Sequence, residues 1–168
     1  MADPGGYAAR PALEVPAGHA VLRSTAGGGS ALCLKGRRQA KRHIQDYTVA
    51  LDPVAEGGHR LDFIDPEDVL TDCGTRLVFV AEPQPAGRGG ARPHPQPGDL
   101  VEGVEGLWLA VSETNGLYRF VSFIHVATGD VRRLREATLT AVHRRWRIEA
   151  PAALNALFPG LASGRQAP

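Results

Sequence analysis

The pattern that most narrows the fold lies between Leu107 and Val126. An apolar run, LWLAVSE, meets the dipeptide Asn115-Gly116 and is followed by a second apolar run, LYRFVSFIHV. Asn-Gly suits a two-residue type I′ turn, in which both central residues need positive φ, so the segment predicts a tight antiparallel hairpin. In the return strand Tyr118, Phe120, Ile124 and Val126 share one phase, and Leu117, Val121 and Phe123 share the other. With both faces apolar, that strand belongs inside a sheet. Trp108 and Phe120, on the two arms of the hairpin, are predicted to pack centrally.

Short β-prone runs separated by turn signals recur elsewhere. His19 to Ser24, Ala31 to Leu34 and Ile44 to Leu51 read as strands, and Arg60 to Ile64 alternates as a half-buried strand. Arg76 to Ala81 is a continuous apolar run and reads as a central strand; Leu100 to Val104 is a further candidate. Asp65-Pro66 is placed to cap a single helical turn. Val131 to Ile148 fits a broad helical arc as well as a strand, and Thr138-Leu139-Thr140 favours the strand. Pro151 to Phe158 reads as one short helix stopped by Pro159-Gly160. Glycine (20) and proline (13) are abundant, as many turns require. Residues 1–17 read as a flexible arm and residues 161–168 as a frayed tail. Residues 82–98, with five prolines and four glycines, read as an exposed, mobile loop. The expected architecture is mostly β: one domain over residues 18–160, a small barrel or sandwich, with a short C-terminal helix. The meander in its C-terminal half is SH3-like in strand spacing.

Several chemistries lack their sequence signatures. No run of about eighteen apolar residues is present, so no membrane-spanning helix and no membrane partner is expected. The N-terminus lacks a charged segment leading into an apolar run, which points to the cytoplasm. Cys33 and Cys73 are then expected as free, buried thiols. Seventeen arginines beside two lysines fit a GC-rich, bacterial coding sequence. No nucleophile elbow occurs, and Gly27-Gly28-Gly29-Ser30 lacks the lysine of a phosphate-binding loop. The six histidines never pair at ligand spacing; His59 with Asp62 and Asp65 is the best local grouping and reads as a solvated turn. Asp62, Asp65, Glu67, Asp68 and Asp72 form an acidic cluster, but carboxylates sharing one solvated loop keep similar pKa values and make a poor acid–base pair. His125 reads as a buried structural histidine. No catalytic residue, metal ligand or cofactor is therefore assigned.

Charge carries the functional signal. Lys35, Arg37, Arg38, Lys41 and Arg42 form one basic block; Arg132, Arg133, Arg135, Arg144, Arg145 and Arg147 form a second, with Trp146 inside it. Residues 44–113 between them hold 13 of the 18 acids against four arginines. If the blocks converge, they form a patch for phosphate or for an acidic protein surface; if not, they pair with the acidic middle or coat strand edges. These twelve residues are the candidate binding set. The leading expectation is a non-catalytic interaction or assembly module that docks onto a larger protein complex. One alternative is a DNA- or RNA-binding protein using both basic blocks. The other is a metal-dependent hydrolase or nuclease built on Asp62–Asp72.

Overall fold

The structure, a computed structural model, describes residues 7–52, 59–82, 94–163 and 165–166. It is mostly β, with one short α-helix. No helix among the described residues is long and apolar enough to cross a membrane.

The first half folds into a six-stranded antiparallel sheet. Its strands are β1 (Ala8–Pro11), β2 (His19–Ser24), β3 (Ser30–Gln39), β4 (Ile44–Asp52), β5 (Leu61–Ile64) and β6 (Val69–Arg76), in the order β1-β6-β2-β3-β4-β5. Next comes β7 (Val78–Ala81). The second half contributes a five-stranded sheet from β8 (Leu100–Gly103), β9 (Gly106–Asn115), β10 (Tyr118–His125), β11 (Val131–Arg132) and β12 (Ala141–His143), in the order β11-β10-β9-β8-β12. A third sheet places β13 (Arg145–Glu149) between β7 and β14 (Arg165–Gln166). All three orders are open-ended, so the sheets do not close into a barrel. Helix α1 (Ala152–Leu157) follows β13, with Pro151 at its N-cap.

The main core lies between the sheets. Leu34, Val49 and Leu51 from the first sheet meet Leu109, Val111 and Ile124 from the second and Trp146 and Ile148 from the third. Strand alternation sends the neighbours of these residues outward into two smaller clusters. Cys33 and Val21 pack under Ala12 and Val15 on the far face of the first sheet. Trp108, Ala110 and Phe123 pack under Leu139 on the far face of the second. Gly36 lets the sheets approach closely: a Cβ there would lie 2.8 Å from Ile124 Cδ1 and 3.0 Å from Val131 Cγ2. The hairpin turns as expected, with Tyr118 opposite Asn115 and Gly116 at φ +59°.

Several expectations are corrected. The N-terminal segment is no free arm from Ala8 onward: β1 pairs with β6, and Ala12 and Val15 are wholly buried. Val69–Arg76 is a strand, not loop. Around Asp65-Pro66 the chain makes a turn rather than a helical turn, with Asp65 Oδ1 accepting from Glu67 N–H. The run Arg76 to Ala81 breaks at buried Leu77, and β7 is an edge strand with Val78 exposed. Residues 131–148 form no single strand. Leu139 must reach the outer cluster while Trp146 and Ile148 enter the main core, and a 3₁₀ turn at Glu136–Thr138 redirects the chain between them. At the C-terminus Leu161 is buried in the main core and Arg165–Gln166 pairs with β13, so the expected fraying does not begin at residue 161. Phe120 is only half-buried, and Trp108, though buried, lies in the outer cluster. Of the proline- and glycine-rich loop, residues 83–93 lie outside the described residues. Gln96 to Asp99 forms an ordered turn, with Gln96 N–H donating to Asp99 Oδ2 at 2.8 Å.

Candidate functional site

Strand alternation divides the first basic block between two faces of the sheet. Lys35 and Arg37 point to the side covered by the N-terminal segment. Lys35 is wholly buried there, its Nζ donating to Asp46 Oδ1 at 2.5 Å and to Gly36 O at 3.3 Å. Arg37 Nε donates to the same carboxylate oxygen at 2.8 Å, and its Nη2 to Leu13 O at 2.8 Å. Arg38 points the other way. Its Nη1 and Nη2 grip both oxygens of Glu113 at 2.7 Å, and Nη1 also donates to Tyr47 Oη at 3.2 Å. Lys41 and Arg42 sit exposed on the β3–β4 turn.

The second block is divided too. Arg132 pairs with Glu105 (2.9 Å) and Asp130 (2.5 Å). Arg133 stacks over Phe120 at 3.9 Å from the ring centroid. Arg135 and Arg144 are exposed. Arg145 lies 3.6 Å from Glu82, and Arg147 pairs with Glu149 at 3.0 Å. Trp146 is wholly buried, its Nε1 donating to Gly98 O at 2.7 Å, so this aromatic is not presented to a partner. The blocks approach each other around Glu113, which is gripped by Arg38 and also feels the charge of Arg133, and around Asp130, which bridges to Arg37 through the backbone and pairs with Arg132. Burial alone would raise the Glu113 carboxyl; hydrogen bonds from Arg38 and Ser122, with the charges of both arginines, outweigh it and hold the group below the usual carboxylate range.

The Arg38–Glu113 pair forms the floor of a cleft of about 550 Å³. Gln45 and Tyr47 of β4 line one part, Arg60, Asp62 and Phe63 at β5 another, and Thr114 and Asn115 of β9 the far wall. Its origin is topological. The β5 strand is the last of its sheet, and among the described residues its outer edge meets β9 through one parallel bridge, Arg60 with Ser112. Ser112 N–H donates to His59 O at 2.8 Å, after which the two strands diverge. Of its lining residues Phe63 is an exposed apolar one, at 59 %, and Tyr118, 79 % exposed, stands opposite Asn115 across the hairpin. Phe63 meets Tyr47 edge-on, ring centroids 6.0 Å apart. Sequence reasoning singled out Arg38 here but missed Tyr47, Phe63 and Glu113. Nothing in a linear reading brings β5 beside the end of β9.

The acidic cluster is dispersed. Asp62 takes Arg60 Nε at 2.7 Å and lies 3.8 Å from Arg23; Asp65 and Asp68 brace their own turn; Asp72 meets His19 Nδ1 at 3.0 Å. His59 is buried against Trp146, centroids 5.6 Å apart, rather than grouped with Asp62 and Asp65 in a solvated turn. Among the described residues no group of three or more His, Cys, Asp or Glu side chains is placed to hold a metal ion. His125 is a structural histidine. Its Nδ1 accepts from Ala127 and Thr128 N–H, which leaves the proton on Nε2 to donate to Glu105 O at 2.8 Å.

Comparison with family models, with curated protein sequences and with solved structures finds no match.

Proposed function

We propose that this chain is a non-catalytic interaction module, working in the cytoplasm, that docks onto a larger protein assembly through the cleft between β5 and β9. The carrying observation is the pairing of an open strand edge with exposed apolar side chains: Phe63 lining the cleft, and Leu117 and Tyr118 at the β9–β10 hairpin. Exposed aromatic and aliphatic anchors around satisfied polar groups are the ordinary composition of protein-binding surfaces. The non-catalytic reading is supported by Asp62, Asp65, Asp68 and Asp72, each held by a cation, a histidine or its own turn. The SH3-like reading of the β8–β12 meander belongs to the same proposal, since small β-modules of that kind work by docking extended peptides.

A nucleic-acid interface would draw on the cations that have no acid partner. It is the weaker reading, because Lys35, Arg37, Arg38, Arg132, Arg145 and Arg147 already face carboxylates of this chain.

A photo-crosslinking residue at Phe63, at Leu117, or at exposed Val104 on the β8–β9 turn tests the proposal. Val104 lies at the opposite end of β9, roughly 30 Å from the hairpin tip by strand rise. The expected result is one protein crosslinked in native lysate from positions 63 and 117 and not from 104. Equal crosslinking from 104, or none from 63, would refute it.

A further inference from the structure

We propose that Asn115 is a self-modification site: attack by the Gly116 backbone nitrogen, and then by water, removes its side-chain amide and leaves a carboxylate in the lining of the cleft. The chemistry belongs to the hairpin tip and holds whether or not a protein docks in the cleft.

The step needs an asparagine followed by a residue whose own nitrogen is open to attack. The Gly116 nitrogen loses its proton and bonds to Asn115 Cγ, closing a succinimide ring. The side-chain nitrogen departs as ammonia and carries that proton away. Water then adds to either ring carbonyl and breaks that carbonyl's bond to the Gly116 nitrogen, which regains a proton. Opening at Cγ gives aspartate. Opening at the main-chain carbonyl gives isoaspartate, with the chain routed through the side chain. The sum is an amide plus water to an acid plus ammonia, with nothing oxidised or reduced.

Access comes first. Residues 114–119 are all exposed. Gly116 sits at φ +59°, and the space a Cβ would take there holds no atom within 4 Å. The attacking nitrogen is therefore unshielded, and glycine leaves its backbone free to turn. Thin support comes second. Among the described residues β8 and the turn before it flank β9 as far as Ala110, Arg60 bridges to Ser112, and β11 flanks β10 at Phe123 and Ile124. From Glu113 to Phe120 the hairpin is a two-stranded ribbon, anchored at its base by Arg38 on Glu113 and Arg133 over Phe120. Such a ribbon is marginal alone, so its tip opens at little cost. Contrast comes third. The other asparagine, Asn155, lies half-buried inside α1. Its N–H donates to Pro151 O at 3.1 Å and its Nδ2 to Ala150 O at 2.9 Å, so backbone and amide are both held, and Ala156 follows it with a Cβ. The product changes the cleft. Asn115 lines it beside Arg38, paired with Glu113, and Arg60, paired with Asp62. A new carboxylate, ionised at neutral pH, adds a negative charge to a lining whose cations are already engaged. Isoaspartate also lengthens the main chain by a methylene at the residue paired with Tyr118.

The test is incubation of the full chain at mildly alkaline pH and body temperature, with peptide mapping by mass spectrometry over time. A synthetic peptide spanning residues 112–119 sets the unhindered rate. Amide loss at Asn115 is expected to be at most about tenfold slower than in the peptide, the protection that about 1.4 kcal/mol of local stability gives. It should be at least about tenfold faster than at Asn155. Aspartate and isoaspartate should appear together as separable products of equal mass. The rate should rise with pH, because the attacking nitrogen must first lose its proton. Asn115→Gln should keep its amide over the same period, since its longer side chain has to close a larger ring. Protection of Asn115 beyond about tenfold would overturn the proposal, because the folded hairpin would then shield the site. So would equal loss at Asn155, or aspartate formed without isoaspartate, which would mean direct hydrolysis of the side chain.

Discussion

Removing Asp46 should damage this fold more than removing the lysine it pairs with. Lys35 and Asp46 are both wholly buried, and Asp46 Oδ1 receives Lys35 Nζ at 2.5 Å and Arg37 Nε at 2.8 Å. The two ends of this network are not equivalent. Arg37 is a quarter exposed and also donates to Leu13 O, so it keeps other partners if the carboxylate is lost. Lys35 keeps only Gly36 O, at 3.3 Å. Burial already pulls its ammonium below the usual lysine range against the opposing effect of Asp46. Asp46→Asn should therefore strand a buried charge, at a cost of about 3–5 kcal/mol. Lys35→Met keeps most of the side-chain volume and leaves Asp46 with Arg37, so the loss should be nearer 1–2 kcal/mol, the scale of one hydrogen bond. The double variant Lys35→Met/Asp46→Leu should be less destabilised than Asp46→Asn alone. Urea unfolding at neutral pH measures this directly. With a slope of about 2 kcal/mol per molar, a loss of about 4 kcal/mol moves the midpoint by about 2 M. A larger loss for Lys35→Met than for Asp46→Asn, or strictly additive losses in the double variant, would refute the reasoning.

Three further outcomes are expected. Trp146→Phe keeps the core filled but leaves Gly98 O without its indole donor, and should cost about 1–3 kcal/mol by denaturant unfolding, with the slope unchanged. Burial pushes the Cys33 thiol up to about 12 and Cys73 up to about 11, so at pH 8 mass spectrometry should find both slow to alkylate in the folded protein and fast in denaturant. Glu113 has its carboxyl held below the ordinary value, so the stability it contributes is present above about pH 4.3 and lost as pH falls through its lower folded-state value. Thermal unfolding should show this acid-side loss in the native chain and a flatter profile in Glu113→Gln.

The parts of the fold legible in the sequence are those where one local rule acts alone. Asn115-Gly116 needs no tertiary help to turn the chain, and Pro151 ahead of a run of good helix formers marks where a helix begins. The missed elements are decided at a distance. Val69–Arg76 mixes Asp, Cys, Gly and Thr and has no clean alternation, yet it lies between β1 and β2 because Leu70 and Asp72 are buried there. The strand Ala8–Pro11 has weak β propensity and exists only as an edge on β6. Residues 131–148 carry apolar positions for two separate clusters, which no single helical or strand period describes. The cleft was the least legible feature, since its walls come from residues about 50 positions apart in the chain.

Charge blocks in a β protein call for a different reading from those on a helix or a disordered tail. Consecutive residues of a strand face opposite sides, so a run such as Lys35 to Arg38 divides its charge, with Lys35 and Arg37 on one face and Arg38 on the other. One half here is driven inside, where Asp46 neutralises it, and the other reaches Glu113 across the inter-sheet space. The acidic middle of the chain thereby serves the fold: Asp46, Asp62, Glu82, Glu105 and Glu113 each take an arginine. Lys41 and Arg42, on the β3–β4 turn outside the ladder, form no ion pair with an acid among the described residues. The surface field is thus far smaller than eleven clustered cations imply, and the exposed Lys41 and Arg42 lie at the same end of the sheet as the exposed Asp65, Glu67 and Asp68.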